Sequence, residues 1–100
     1  MEDLTKYGFR KDFNWETRFD LKTTVGDYLV STVDLGLDHS FGIGEPLYYE
    51  TMIFRKDHNH KNNQFEYYQE RYSTEEEARK GHEVAIDYVK NELKENNGNN

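Results

Sequence analysis

Apolar and polar residues alternate along four stretches of this chain and recur at helical spacing in a fifth. Within residues 16–25, Phe19, Leu21, Thr23 and Val25 fall on one side and Arg18, Asp20, Lys22 and Thr24 on the other. That two-residue period marks a half-buried strand. Gly26-Asp27 supplies turn chemistry for a short hairpin into residues 28–37. There Leu29, Val33, Leu35 and Leu37 share one face, while Tyr28, Val30, Thr32 and Asp34 share the other. The leucine-bearing face is expected in the core, and the Tyr28, Val30 and Thr32 face is expected to stay partly open. Residues 47–54 form a third run rich in Tyr, Thr, Ile and Phe, and residues 65–72 a fourth with alternate rings. Between them, DHNHKNN (57–63) reads as a loop too polar to bury.

The helical pattern follows Ser73, whose spacing to Glu76 matches a capping box. Ala78, His82, Ala85, Val89 and Leu93 then recur at helical spacing, with Ile86 beside them. Gly81 lies at the edge of this stripe and costs up to about 1 kcal/mol of helix propensity. Close approach to the sheet is the expected compensation. These elements predict an α+β fold: an antiparallel meander of four strands, or five, with one C-terminal helix packed on one face. Residues 1–100 read as one domain, with an irregular arm (1–15), the sheet (16–72), the helix (73–95) and a fraying tail (96–100). A second copy is expected to cover the open face, making the chain a homo-oligomer.

Charge narrows the function. The formal net charge of −7 disfavours sequence-independent DNA or RNA binding, which needs cations to displace counterions from phosphates. It leaves a small ligand, a basic partner, or an acidic surface that imitates nucleic acid. Without cysteine there is no disulfide or thiolate chemistry. No apolar run approaches the length of a membrane span, so a soluble, intracellular protein is expected.

The connection between the second and third runs holds the candidate chemistry. An ordinary hairpin loop needs two to five residues, yet this one carries Asp38, His39, Phe41, Gly42, Gly44 and Pro46. The glycines offer backbone N–H groups to an anion with no Cβ in the way. The alternative is a structural loop, with an Asx-type turn at Asp38 and Phe41 packed down as a plug. Arg71, just before the helix, fits an anion clamp or an ion pair with Glu50, Glu70 or a helix carboxylate. His82 lies on the apolar stripe, where a neutral core imidazole and a ligand contact are the two readings. The expected ligand-binding set is Asp38, His39, Phe41, Gly42, Gly44, Glu50, Arg71 and His82. His58 and His60 lack the thiolates or helical spacing of a metal site, so no metal or cofactor is expected. Asp38, His39 and Ser40 are the residue types of hydrolysis, but neighbours in an extended strand point to opposite faces. No enzyme is expected.

Leu35-Gly36-Leu37-Asp38-His39, Phe41-Gly42, Pro46, Glu50-Thr51-Met52, Phe54, Arg71-Tyr72-Ser73-Thr74 and Gly81-His82-Glu83 together resemble a family of small bacteriophage and prophage proteins. The resemblance spans roughly residues 31–83. It implies a phage gene, of a kind whose small accessory products often act on host defence in the cytoplasm of the bacterial host. Two functions fit. One is a non-catalytic counter-defence protein that binds and sequesters a small anionic, nucleotide-like immune signal. The other is an acidic inhibitor of a host defence or nucleic-acid-handling protein, acting by protein contact and as a nucleic-acid mimic.

Overall fold

The computed structural model describes residues 3–98. Gly26-Asp27 joins β1 (Asp20–Val25) to β2 (Tyr28–Asp34), the hairpin that its turn chemistry predicts. β3 (Tyr49–Arg55) and β4 (Gln69–Tyr72) complete a sheet of order β1-β2-β3-β4, antiparallel throughout. α1 (Glu75–Gly98) packs on one face of this four-stranded meander, an α+β architecture. The strands are shorter than the sequence runs. β2 stops at Asp34 because Gly36 takes φ +74°, and a Cβ there would lie 2.6 Å from the Phe13 ring. Residues 64–67 turn instead of pairing, which leaves Phe65 as a core residue, 3% exposed, outside any strand.

α1 covers the face that was expected to be open. Cross-strand partners place Val30 between Thr23 and Ile53, and Thr32 between Leu21 and Thr51. Val30 and Thr32 have no exposed surface, and Tyr28 and Asp34 are buried too. Leu29 and Val33 point to the other face and stay half-buried. The reason is the company each face keeps. Leu29 and Val33 sit beside Thr24 and Asp20 on β1, whereas Tyr28 and Val30 sit beside Val25 and Thr23. Val25, Tyr28, Val30, Ile53, Phe65, Ala85, Ile86 and Val89 form one core cluster, with Tyr68 and Leu93 packed against it. Each fully buried aliphatic or aromatic side chain there contributes about 1.5–3 kcal/mol relative to exposure.

The helix stripe is as expected: Ala78, Ala85 and Val89 are fully buried and His82 is 2% exposed. Gly81 lies against the sheet so closely that a Cβ would fall 2.1 Å from the Tyr72 hydroxyl. The capping box, however, is one residue later than Ser73/Glu76. Thr74 Oγ1 accepts from the Glu77 N–H at 3.1 Å, and Glu77 Oε1 accepts from the Thr74 N–H at 3.2 Å. The helix extends to Gly98, past the expected end at residue 95, while Asn99 and Asn100 lie outside the described residues.

Two polar residues find places the sequence reading did not give them. Asn63, in a loop whose polar composition predicts exposure, is only 6% exposed. Its amide donates to the Ile53 carbonyl at 2.9 Å and its side-chain oxygen accepts from the Phe65 N–H at 2.8 Å. Asp34 is 4% exposed and receives the Arg10 guanidinium on both oxygens, at 2.6 and 3.3 Å. A buried carboxylate needs such a partner. Those bonds push the Arg10 guanidinium further above its already high value. The pair moors the N-terminal arm, whose Phe9, Phe13 and Trp15 rings pack together with centroids 5.0–5.6 Å apart.

Candidate functional site

The long connection between β2 and β3 is clamped at its neck and bare at its tip. Asp38 Oδ1 accepts from the N–H groups of Ser40 (2.8 Å) and Leu47 (2.9 Å), and Oδ2 from the Ser40 hydroxyl (3.0 Å). The His39 N–H donates to the Leu47 carbonyl at 2.9 Å, closing the neck from the other side. These donors, the Leu47 N–H first, hold the Asp38 carboxyl below its ordinary range. An Asx-type turn at Asp38 was one of the two sequence readings, and it is present.

The plug that accompanied that reading is not. Phe41 is 85% exposed and Ile43 81%, with Phe41 at φ +56°. Gly42 and Gly44 flank Ile43, and nothing lies within 4 Å of where their Cβ atoms would be. The Gly42 N–H reaches the Ser40 hydroxyl at 3.3 Å, and His39 Nδ1 meets the Leu37 carbonyl at 2.9 Å. The tip therefore presents two bare apolar side chains on a braced neck.

The other expected ligand residues are dispersed. Arg71 and Glu50 face each other across β3 and β4, and Arg71 Nε donates to Glu50 Oε2 at 2.9 Å, where Gln69 Nε2 also donates at 2.8 Å. This cluster occupies the sheet face away from α1, because Thr51, next to Glu50, turns its hydroxyl to Thr32 and Tyr72 on the face that α1 covers. His82 itself is sealed on the helix side. Its Nε2 lies 2.8 Å from Thr23 Oγ1 and its Nδ1 2.7 Å from Thr32 Oγ1. Thr32 continues to Thr51 at 2.6 Å, and the Tyr72 hydroxyl donates to Thr51 at 3.1 Å. With Tyr72 donating first, each group donates to the next and the ring's Nε2–H ends the chain on Thr23. Burial pushes the His82 ring below its ordinary value.

The strand order does bring the loop and Arg71 to the same end of the sheet. The N–H of Tyr48, where the loop rejoins β3, donates to the Tyr72 carbonyl at 3.1 Å. Two surface clefts lie elsewhere: one of about 300 Å³ against Leu4, Arg10, Phe13 and Trp15, the other of about 350 Å³ against Phe65, Tyr67, Tyr68 and Tyr88. Neither is lined by any of the eight expected residues. Among the described residues, no three His, Asp or Glu side chains gather closely enough for a metal ion, and no helix is long and apolar enough to cross a membrane.

Sequence reasoning missed Ile43 and the Arg10–Asp34 pair. An acidic residue sharing a strand face with Val30 and Thr32 was the signal for the second, since such a carboxylate requires a cation. Ile43 carried a signal too: an apolar residue between two loop glycines has no strand or helix to bury it. Comparison of the chain with protein-family models, curated proteins and solved structures finds no match.

Proposed function

We propose that this protein is a non-catalytic binding module that acts by protein–protein contact, with the 38–46 loop as its contact element. The observation that carries the reading is the pair Phe41 and Ile43, 85% and 81% exposed on a neck braced through Asp38. Apolar side chains held out on an ordered loop gain free energy by entering a partner's pocket. The brace lowers the ordering cost of doing so. A net charge of −7 favours a basic receiving surface and raises the encounter rate with it. Taken with the phage resemblance, the partner is a host defence or nucleic-acid-handling protein in the bacterial cytoplasm, and binding inhibits it.

A second reading, sequestration of an anionic nucleotide-like signal, draws on the unobstructed backbone at Gly42 and Gly44 and on the shared sheet end with Arg71. It requires Arg71 to leave Glu50. One experiment separates the two. Tagged protein expressed in a bacterial host should capture a partner that the Phe41→Ala/Ile43→Ala variant loses at an unchanged melting temperature. Calorimetry against cyclic and ADP-ribose-type nucleotides should show no heat. Retention of the partner by the variant overturns the contact reading. Nucleotide binding that Arg71→Ala weakens would establish the other.

A further inference from the structure

β1 forms one edge of the sheet, and its backbone polarity can be read residue by residue. The Phe19 carbonyl accepts from the Asp34 N–H at 2.9 Å, in step with the ladder from Asp20↔Val33 to Val25↔Tyr28. Alternate strand residues aim their N–H and C=O groups the same way. Leu21, Thr23 and Val25 therefore aim theirs at β2, while Asp20, Lys22 and Thr24 aim theirs out of the sheet. All three of those residues are exposed. β1 has six residues, no Pro and one-to-one pairing without a bulge, whereas the opposite edge, β4, has four residues. A long regular edge of this kind is a template for another strand.

We propose that β1 pairs with β1 of a second copy of this chain, antiparallel about a two-fold axis at Leu21. Charge selects both the occupant and the register. Residues opposite each other must share a sheet face, so the axis passes through a single residue. An axis at Lys22 would oppose two lysines, and an axis at Thr23 would oppose Lys22 to Thr24 and pair no charges. An axis at Leu21 opposes Asp20 to Lys22 of the second copy, and Lys22 to its Asp20. Asp20 and Lys22 already form an ion pair within one chain, so the two copies build a square of alternating charge. The same two residues carry the outward backbone groups, so each cross-copy pair exchanges both of its N–H···O bonds. Leu21 meets Leu21 at the axis, at a non-hydrogen-bonded site where Cα atoms approach to about 4.5 Å. The interface is isologous and closes as a dimer with one continuous sheet.

Sedimentation equilibrium of the whole chain tests this. Wild type should show twice the 12.0 kDa chain mass at concentrations on the order of 100 µM. Lys22→Glu sets acid against acid at both symmetric positions and should weaken the dimer roughly tenfold to a hundredfold. Asp20→Lys should do the same with lysines, and Asp20→Lys/Lys22→Glu should restore the dimer. Since the chain has no cysteine, oxidising Leu21→Cys gives a second readout that does not depend on those charges. It should yield a disulfide-linked dimer, and Lys22→Cys should not. A monomeric wild type, single reversals without effect, or a double exchange that stays monomeric would each overturn the proposal. Cross-linking through Lys22→Cys instead of Leu21→Cys would overturn the register.

Discussion

Two regions of this molecule invert the ordinary placement of side chains, in opposite senses. Beneath α1, Thr32, Thr51 and His82 lie inside, at 0%, 0% and 2% exposure. At the tip of the 38–46 loop, Phe41 and Ile43 lie outside. The buried polar groups are closed among themselves: every hydroxyl and both ring nitrogens have a partner. Such a network is compatible with a core and specifies how the helix sits on the sheet. Among the described residues Phe41 and Ile43 stay 85% and 81% exposed, so folding gains little from burying either. One inversion is explained by the fold. The other is what the proposed contact would use.

The sharpest break of this comparison is to damage the covered face itself. Ile53→Ala should cost about 2–5 kcal/mol, since Ile53 sits between the sheet and α1 at 2% exposure. Leu29→Ala, on the opposite face, should cost clearly less. Denaturant midpoints for both variants check the assignment of faces, and equal losses would contradict it.

Next comes the polar chain. Thr32→Val keeps the shape but removes the hydroxyl that joins His82 Nδ1 to Thr51, leaving a buried ring nitrogen without its partner. The expected loss is about 1–3 kcal/mol. Acid probes the same ring. Burial depresses its folded pKa, so the unfolded chain binds the proton more tightly. The stability gained from a neutral His82 is whole above the unfolded value of about 6.5 and is lost as pH falls through the lower folded value. Melting at pH 7.5 and 5.5 should show wild type weakening in acid, and His82→Leu should lose much of that dependence.

What the sequence disclosed follows the same division. The hairpin at Gly26-Asp27, the antiparallel order and the stripe from Ala78 to Val89 are local patterns, and each is present in the structure. The covered face is not legible within β2 alone, where Leu29 and Val33 mark the face that stays half-buried. A two-residue turn puts Val25 opposite Tyr28, so the apolar side of β1 and the Tyr28, Val30 side of β2 had to coincide. That inference needed two strands at once. For the candidate site, the Asx turn at Asp38 was legible from residue type alone. The ion pair of Arg71 with Glu50 stood among the readings but could not be selected, because cross-strand register decides it. That Phe41 points outward depends on the closed neck between Asp38 and Leu47, nine residues apart in sequence.

A smaller effect locates the helix start. Thr74→Ala should lose about 0.5–2 kcal/mol, because its hydroxyl caps the Glu77 N–H. Ser73→Ala should be close to neutral. Thermal melts of the pair would place the cap, and a larger loss at Ser73 would return it one residue earlier.

The smallest expected change in stability carries the most weight for function. Phe41→Ala and Ile43→Ala remove large apolar side chains, a change that costs several kcal/mol in a core. Here both side chains already stand in solvent, so unfolding exposes almost nothing more of either. The variants should melt within about 0.5 kcal/mol of wild type. Phe41 adds a refinement, since it holds φ +56°, a conformation glycine adopts without strain. Phe41→Gly should therefore match wild type or exceed it slightly in stability while losing the apolar tip. A phenylalanine at a backbone position that glycine fits better is what the proposed contact would account for. If Phe41→Gly or Ile43→Ala instead lowers the denaturant midpoint as much as Ile53→Ala does, the tip is part of the fold. The contrast between the two regions would then disappear.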